Sequence, residues 1–171
     1  MKDLDEIDCE ILNMLQVNCR ATFREISDHI NLSADAVKNR INKMLENKVF
    51  HPKIQIRPRH LGYHNVVEVK VKLKFISESK LDEFITFLIK HPNIAEIFSI
   101  SGKWDFSIVI IAKDANELGK ITHEIRIKFG DMIRSWIESL TTDSYKFEYY
   151  DMRKLMGFKP TRVKFDFFDY V

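Results

Sequence analysis

Lys38, Asn39, Asn42 and Lys43 are spaced so that an α-helix would gather them on one side. A lysine can reach a phosphate oxygen or the acceptor edge of guanine, and an asparagine can bond adenine at two points. Those side chains suit contact with double-stranded DNA; the alternative is an ordinary solvated helix face. Arg40, nearer the flank, either reaches a phosphate or pairs with an acid of the first helix, and both readings stand. Ser33, just upstream, is a good N-cap, and the backbone N–H groups beside it can also bind a phosphate. Arg57 and Arg59 follow in a basic stretch and suit either DNA-backbone contact or plain solvation.

The charge distribution points the same way. The 171 residues carry a net charge of only +2, but residues 1–37 hold −5, residues 38–60 hold +6, residues 61–143 hold −1 and residues 144–171 hold +2. Basic charge confined to one short stretch suggests a polyanionic partner.

The elements that must position these residues are legible from periodicity. Ile7, Ile11 and Leu15 form one apolar helical stripe, with Asp5, Glu6 and Asp8 in its first turn. Thr22 and Glu25 form a capping box for a second helix carrying Phe23, Ile26 and Ile30 and ending near Asn31, a residue that tolerates the left-handed conformation. From Ser33 a third helix turns Val37, Ile41, Met44 and Leu45 inward. Three helices with a turn of about three residues between the last two make a helix-turn-helix. After Pro52, Ile54 and Ile56 alternate with Lys53, Gln55 and Arg57, which predicts a short basic strand before Pro58.

The rhythm then changes. A strand is expected over 66–75, a helix over 78–90, strands over 94–100 and 106–112, a helix from the Asp114 cap to Gly130, and a strand over 133–141. That order is the ferredoxin-like βαββαβ plan. Val69, Val71, Leu73, Ile108 and Ile110 offer more apolar surface than one helical layer needs, so pairing of two copies sheet to sheet through residues 64–143 is expected. A further strand is read at 145–149, a short helix at 152–159, and an alternation of Val163, Phe165 and Phe167 beyond it. The fold class is α+β: an N-terminal three-helix domain over 1–51, a connecting strand and linker over 52–63, the ferredoxin-like domain over 64–150 and a C-terminal tail over 151–171.

Several classes of function lack support. Hydrophobic residues make up 45% and charged residues 30%, a globular balance. The longest clean apolar run, Ile108–Ala112, falls far short of the roughly 18 residues of a membrane span, and no signal-peptide pattern opens the chain. The cytoplasm is the expected compartment. A helix between Cys9 and Cys19 would hold them about 15 Å apart, against the roughly 7 Å Cα limit of a disulfide. Two reduced thiols are expected. No phosphate-binding glycine loop, metal-ligand spacing or nucleophile–base arrangement occurs, so neither catalysis nor a cofactor or metal is expected.

Three motifs carry a family resemblance. Leu4-Asp5-x-x-Asp8-x-x-Ile11-Leu12-x-x-Leu15-Gln16-x-Asn18-x-Arg20 resembles the opening of the Lrp/AsnC (leucine-responsive regulator) family. Leu32-Ser33-x-x-x-Val37-x-x-Arg40-Ile41 resembles its recognition-helix entry, and Ile100-Ser101-Gly102-Lys103-Trp104-Asp105-Phe106 is similar to its Gly-x-x-Asp hairpin. The resemblance implies an oligomeric, sequence-specific transcription regulator. Homodimers would assemble further, and an amino acid or other small ligand would act as effector. On that footing Gly102 and Asp105 are effector candidates, the glycine admitting a ligand to the backbone and the carboxylate holding an ammonium group; the alternative is a hairpin needing both for conformation alone. Two further readings stay open. Some haem-biosynthesis decarboxylases share this architecture, which would give His60, His64 and His123 a role, and a ligand-binding oligomer without DNA contact is the other.

Overall fold

The computed structural model describes residues 4–74, 77–160 and 163. Phe75, expected to end the first strand, and Phe165 and Phe167, expected to alternate with Val163, lie outside them. The described residues cluster into two units, one up to Gln55 joined by those from Ser144, the other Ile56–Asp143.

The helical unit opens with α1 (Glu6–Val17), started by a reciprocal cap: Asp5 Oδ1 accepts from the Asp8 N–H at 2.8 Å, and Asp8 Oδ2 accepts from the Asp5 N–H at 3.3 Å. The Thr22–Glu25 box starts α2 (Phe23–Ile30), and Asn31 closes it at φ 56°. Ser33 Oγ accepts from the Ala36 N–H to start α3 (Ala34–Glu46). Ile11, Leu12, Ile26, Val37, Ile41 and Met44 form the buried core between the three helices. After α3, Lys48 is left-handed at φ 55°, a conformation that costs a residue with a Cβ about 1–2 kcal/mol.

The described residues from Ser144 on group with this unit. Asn13 of α1, fully buried, donates to Asp151 Oδ1 at 3.2 Å and accepts from the Met152 N–H at 2.8 Å. Gln16 donates to the Tyr150 carbonyl at 2.9 Å and accepts from its N–H at 3.0 Å. Arg153 bonds Glu6 and lies 3.4 Å from the buried carboxylate of Glu10, whose other oxygen is 3.0 Å from His29 Nε2. Met152 packs against the helical core. The short helix here, α6, spans only Met152–Leu155; Gly157, at φ 82°, turns the chain after it.

In the second unit, β1 (Asn65–Leu73), α4 (Glu78–Lys90), β2 (Ile94–Ser99), β3 (Phe106–Ala112), α5 (Ala115–Phe129) and β4 (Ile133–Leu140) follow the expected order. The strands form one antiparallel sheet, β2-β3-β1-β4, with Val69 opposite both Ile108 and Glu138. Val67, Val69, Val71, Ile108 and Ile110 pack with Phe84 and Leu88 of α4 and Ile121, Ile125 and Phe129 of α5. Phe84 sits edge-on to Phe106 and Phe129.

Three expectations are corrected. Residues 53–57 and 145–149 alternate in type but form no strand; alternation marks shared faces, while a strand needs a second backbone to complete its ladder, and neither segment has one here. The strand residues expected as surplus are not left over: Val69, Val71, Ile108 and Ile110 are fully buried under the helices, and Leu73 is half-buried against the same core. The opposite sheet face is mixed instead. One row across it reads Phe98, Ser107, Lys70, Ile137. At its centre Lys70 donates to Glu68 at 2.6 Å, and Ser107 donates to the same carboxylate at 2.8 Å.

Candidate nucleic-acid interface and effector hairpin

Val37, Ile41 and Met44 fix which side of α3 is buried, and the opposite side follows from helical spacing. Lys38, Asn39, Asn42 and Lys43 are all exposed there. Ser33 is also exposed, its hydroxyl used as the helix cap. These residues share one element and one unit.

Arg40 points elsewhere. Its Nη1 donates to Asp5 Oδ2 at 2.7 Å and to Asp8 Oδ1 at 2.8 Å, tying α3 to the first turn of α1. Of its two readings, the pairing with acids of the first helix is the one the structure contains. The two carboxylates push the guanidinium pKa above its ordinary value. Arg57 belongs to the sheet unit, half-buried just before a single 3-10 turn, Pro58–Leu61. Arg59 donates to the carbonyls of Thr141 and Thr142 at 2.5 and 2.9 Å and so fastens that turn to the end of β4.

The hairpin between β2 and β3 is closed by the Ile100 N–H donating to the Asp105 carbonyl at 2.9 Å. Gly102 is exposed at φ 116°, a conformation other residues rarely take, with open space where a Cβ would stand. Its need for glycine is therefore conformational. Asp105 is already engaged: Oδ1 accepts from Lys72 Nζ at 2.7 Å and Oδ2 from the Leu73 N–H at 2.7 Å. The Lys72 bond, with help from the Leu73 amide, outweighs partial burial and holds the carboxyl below its ordinary value. Sequence reasoning missed Lys72. The only indication was its parity with Glu68 and Lys70 on β1, which gives a face but not a neighbour.

Among the described residues no group of three or more His, Cys, Asp or Glu is placed to hold a metal ion. His60, His64 and His123 are exposed, on the 3-10 turn, on the loop before β1 and on α5. Both thiols are free; burial, aided by nearby acids, pushes the Cys9 pKa up to about 11, which suits an inert core residue. No described helix is long and apolar enough to cross a membrane.

A three-helix unit with an outward basic helix, followed by a βαββαβ domain, defines a two-domain regulator of the helix-turn-helix class. Residues 4–45 match the AsnC-type helix-turn-helix domain and residues 66–130 the Lrp/AsnC ligand binding domain. Over 124 residues the chain is 33% identical to the HTH-type transcriptional regulator Ptr1 of Methanocaldococcus jannaschii, a match covering 71% of this chain and 80% of that protein. The chain belongs to the Lrp/AsnC family of transcriptional regulators.

Solved structures share the fold. An AsnC family transcriptional regulator from Agrobacterium tumefaciens superposes with a TM-score of 0.77 at 21% identity, covering 84% of this chain and 94% of that one. A transcriptional regulator from Neisseria meningitidis, solved as its L-Met complex, gives 0.77 at 18% identity over 85% and 94%.

Proposed function

We propose that the protein regulates transcription by binding double-stranded DNA as a homodimer or larger assembly, with α3 of each copy in the major groove. The observation that carries this reading is the outward face of α3: Lys38, Asn39, Asn42 and Lys43 are exposed together, backed by a helix whose other side is core. Lysines there neutralise phosphates or read guanine, and the asparagines read adenine. Arg40 acts from within the domain, holding α3 on α1, and Ser33 starts the helix and offers its N-terminal amides to a phosphate.

Two copies joined through their ferredoxin-like domains present two such helices to half-sites about one turn of DNA, or a multiple, apart. The mixed sheet face, with exposed Phe98 and Ile137 around the Glu68–Lys70–Ser107 cluster, is the surface we assign to that pairing. A small effector, an amino acid or a relative of one, binds beside the Gly102–Asp105 hairpin. Support comes from membership of the family, whose second domain is a ligand binding domain, and from a structural neighbour solved with L-Met.

The test selects fragments of the source genome on the full-length protein and measures their affinity by fluorescence anisotropy. The triple variant Lys38→Ala, Asn42→Ala, Lys43→Ala should lose the preference for the selected fragment. Unchanged, fragment-specific binding by a folded triple variant sinks the assignment of α3. Light scattering that returns a monomer at every concentration sinks the assembly.

A further inference from the structure

Along α1 a second row of side chains, Glu6, Glu10, Asn13 and Gln16, recurs every three or four residues and so shares one face of the helix. Every member of that row meets the far end of the chain. Arg153 bonds Glu6 and reaches Glu10 at 3.4 Å, Asn13 bonds Asp151 and Met152, and Gln16 bonds Tyr150. Polar bonds of this kind exchange with water at small net cost, so the seam can open while the apolar core of the three helices stays closed. The first turns of α1 also hold both helices of the helix-turn-helix: His29 of α2 lies 3.0 Å from Glu10, and Arg40 of α3 bonds Asp5 and Asp8. Glu10 therefore stands between the tail and α2. At its other end the tail leaves the sheet unit just after β4. The chain passes between the two units after Gln55 and again after Asp143. Arg59 fastens the turn that follows the first passage to Thr141 and Thr142, which precede the second, so both passages meet the sheet unit at one point.

We infer that the segment from Tyr150 through α6 is a releasable strap on the DNA-binding domain. Docked on α1, it holds α2 and α3 in the arrangement that binds DNA, and the sheet unit governs docking through Arg59 and the passage after β4. Arg153 is a positioning residue in this account: it acts through Glu10 and touches no DNA. The inference rests on the DNA-binding reading above and adds a control point to it. Cys9 reports the strap's position, since it is fully buried and Arg153 and Asp151 both lie close enough to act on its thiol.

The experiment measures how fast a thiol reagent labels Cys9 in the full-length protein without DNA, with Cys19→Ser removing the exposed thiol. Affinity for the selected fragment is measured in parallel by fluorescence anisotropy. Arg153→Met should speed labelling about tenfold, the strength of one hydrogen bond to a charged group. The same change should weaken DNA binding about fivefold or more, and Arg153→Lys should recover part of both effects. Arg59→Ala, in the other unit, should move both readouts in the same direction, and it keeps the test open if circular dichroism shows that Arg153→Met unfolds. Bound DNA should slow labelling of the protein with native Arg153, because coupling is reciprocal. Faster labelling at unchanged DNA affinity, or unchanged labelling in Arg59→Ala, would overturn the inference and leave DNA binding by α3 intact. DNA binding by none of the proteins, the wild type included, would overturn both.

Discussion

Replacing Arg40 by alanine separates a residue that holds the domain together from one that touches DNA. Nη1 is shared by two carboxylates, 2.7 Å from Asp5 and 2.8 Å from Asp8. The Asp5 side chain is 52% exposed and that of Asp8 only 16%, so the two contacts differ in worth. An exposed ion pair contributes about 0.2–1 kcal/mol, and a hydrogen bond to a charged group in drier surroundings about 1.5–3 kcal/mol. With the first contact at the low end and the second between the ranges, Arg40→Ala should cost about 1–2 kcal/mol. For a unit of this size that lowers Tm by about 5–10 °C. The effect depends on pH with a definite sign. Burial pushes the Asp5 carboxyl up, but bonds from the Asp8 N–H and from Arg40 outweigh it and leave the pKa lowered from 3.8. A lowered carboxyl contributes stability that is full above 3.8 and lost as pH falls through the folded value. Wild type and variant should therefore converge in acid. DNA binding supplies the second readout. Each phosphate contact adds about 0.9 to the slope of log affinity against log salt. Arg40→Ala should keep the wild-type slope in anisotropy measured from 50 to 200 mM salt (about that range suffices to resolve one contact), whereas Lys43→Ala should lower it by about 0.9. A shallower slope for Arg40→Ala at unchanged Tm would refute this reasoning and put the guanidinium on a phosphate.

Other changes test other joints. Asn13→Leu removes both bonds to Asp151 and Met152 from a fully buried position; it should cost about 1–3 kcal/mol and make residues 144–160 cleave faster in limited proteolysis. Lys48→Gly relieves a left-handed residue and should raise the denaturation midpoint, by about 0.5–1 kcal/mol after the greater freedom of unfolded glycine is set against the relief. Asp105→Asn should flatten the fall in stability below pH 4, because the paired carboxylate contributes above its ordinary pKa of 3.8 and that contribution is lost as pH drops through its lowered folded value. Phe84→Ala empties the centre of the sheet unit, where Phe106 and Phe129 meet it edge-on, and should cost about 3–5 kcal/mol by chemical denaturation.

Much of the fold was legible because it depends on short-range rules. Thr22 with Glu25, and Ser33 alone, are caps whose partners lie three residues away, and both start helices where the pattern says they should. Asn31 takes the left-handed turn for the reason its side chain suggests. Strand parity put Val67, Val69 and Val71 on one face, and that face is the buried one. The expected surplus of apolar strand residues went astray because parity shows which residues share a face and not how much cover the helices supply. Phe84, Leu88, Ile121, Ile125 and Phe129 are bulky enough to bury Val69, Val71, Ile108 and Ile110 fully and Leu73 in part.

Contacts made across long stretches of chain were not legible, and they decide how the sites are occupied. Asn13 and Gln16 read as ordinary polar positions on a helix whose apolar stripe is at Ile7, Ile11 and Leu15. Their partners are 134 to 139 residues away, just past the aromatic alternation at 145–149 and at the start of the expected short helix. A buried amide is tolerable only when bonded, so the burial of Asn13 and the docking of residues 150–153 are one fact seen from two ends of the chain. Asp105 poses the same problem at the hairpin. The family resemblance marked it as a carboxylate able to hold a cation, and a cation is what it holds. Which cation depends on register: Val71 lies opposite Phe106, so Lys72 arrives beside Asp105 and takes one of its oxygens. A slip of one residue would turn that lysine to the other face and leave the carboxylate open to a ligand. The pairing of β1 with β3 therefore sets what charge stands beside the hairpin.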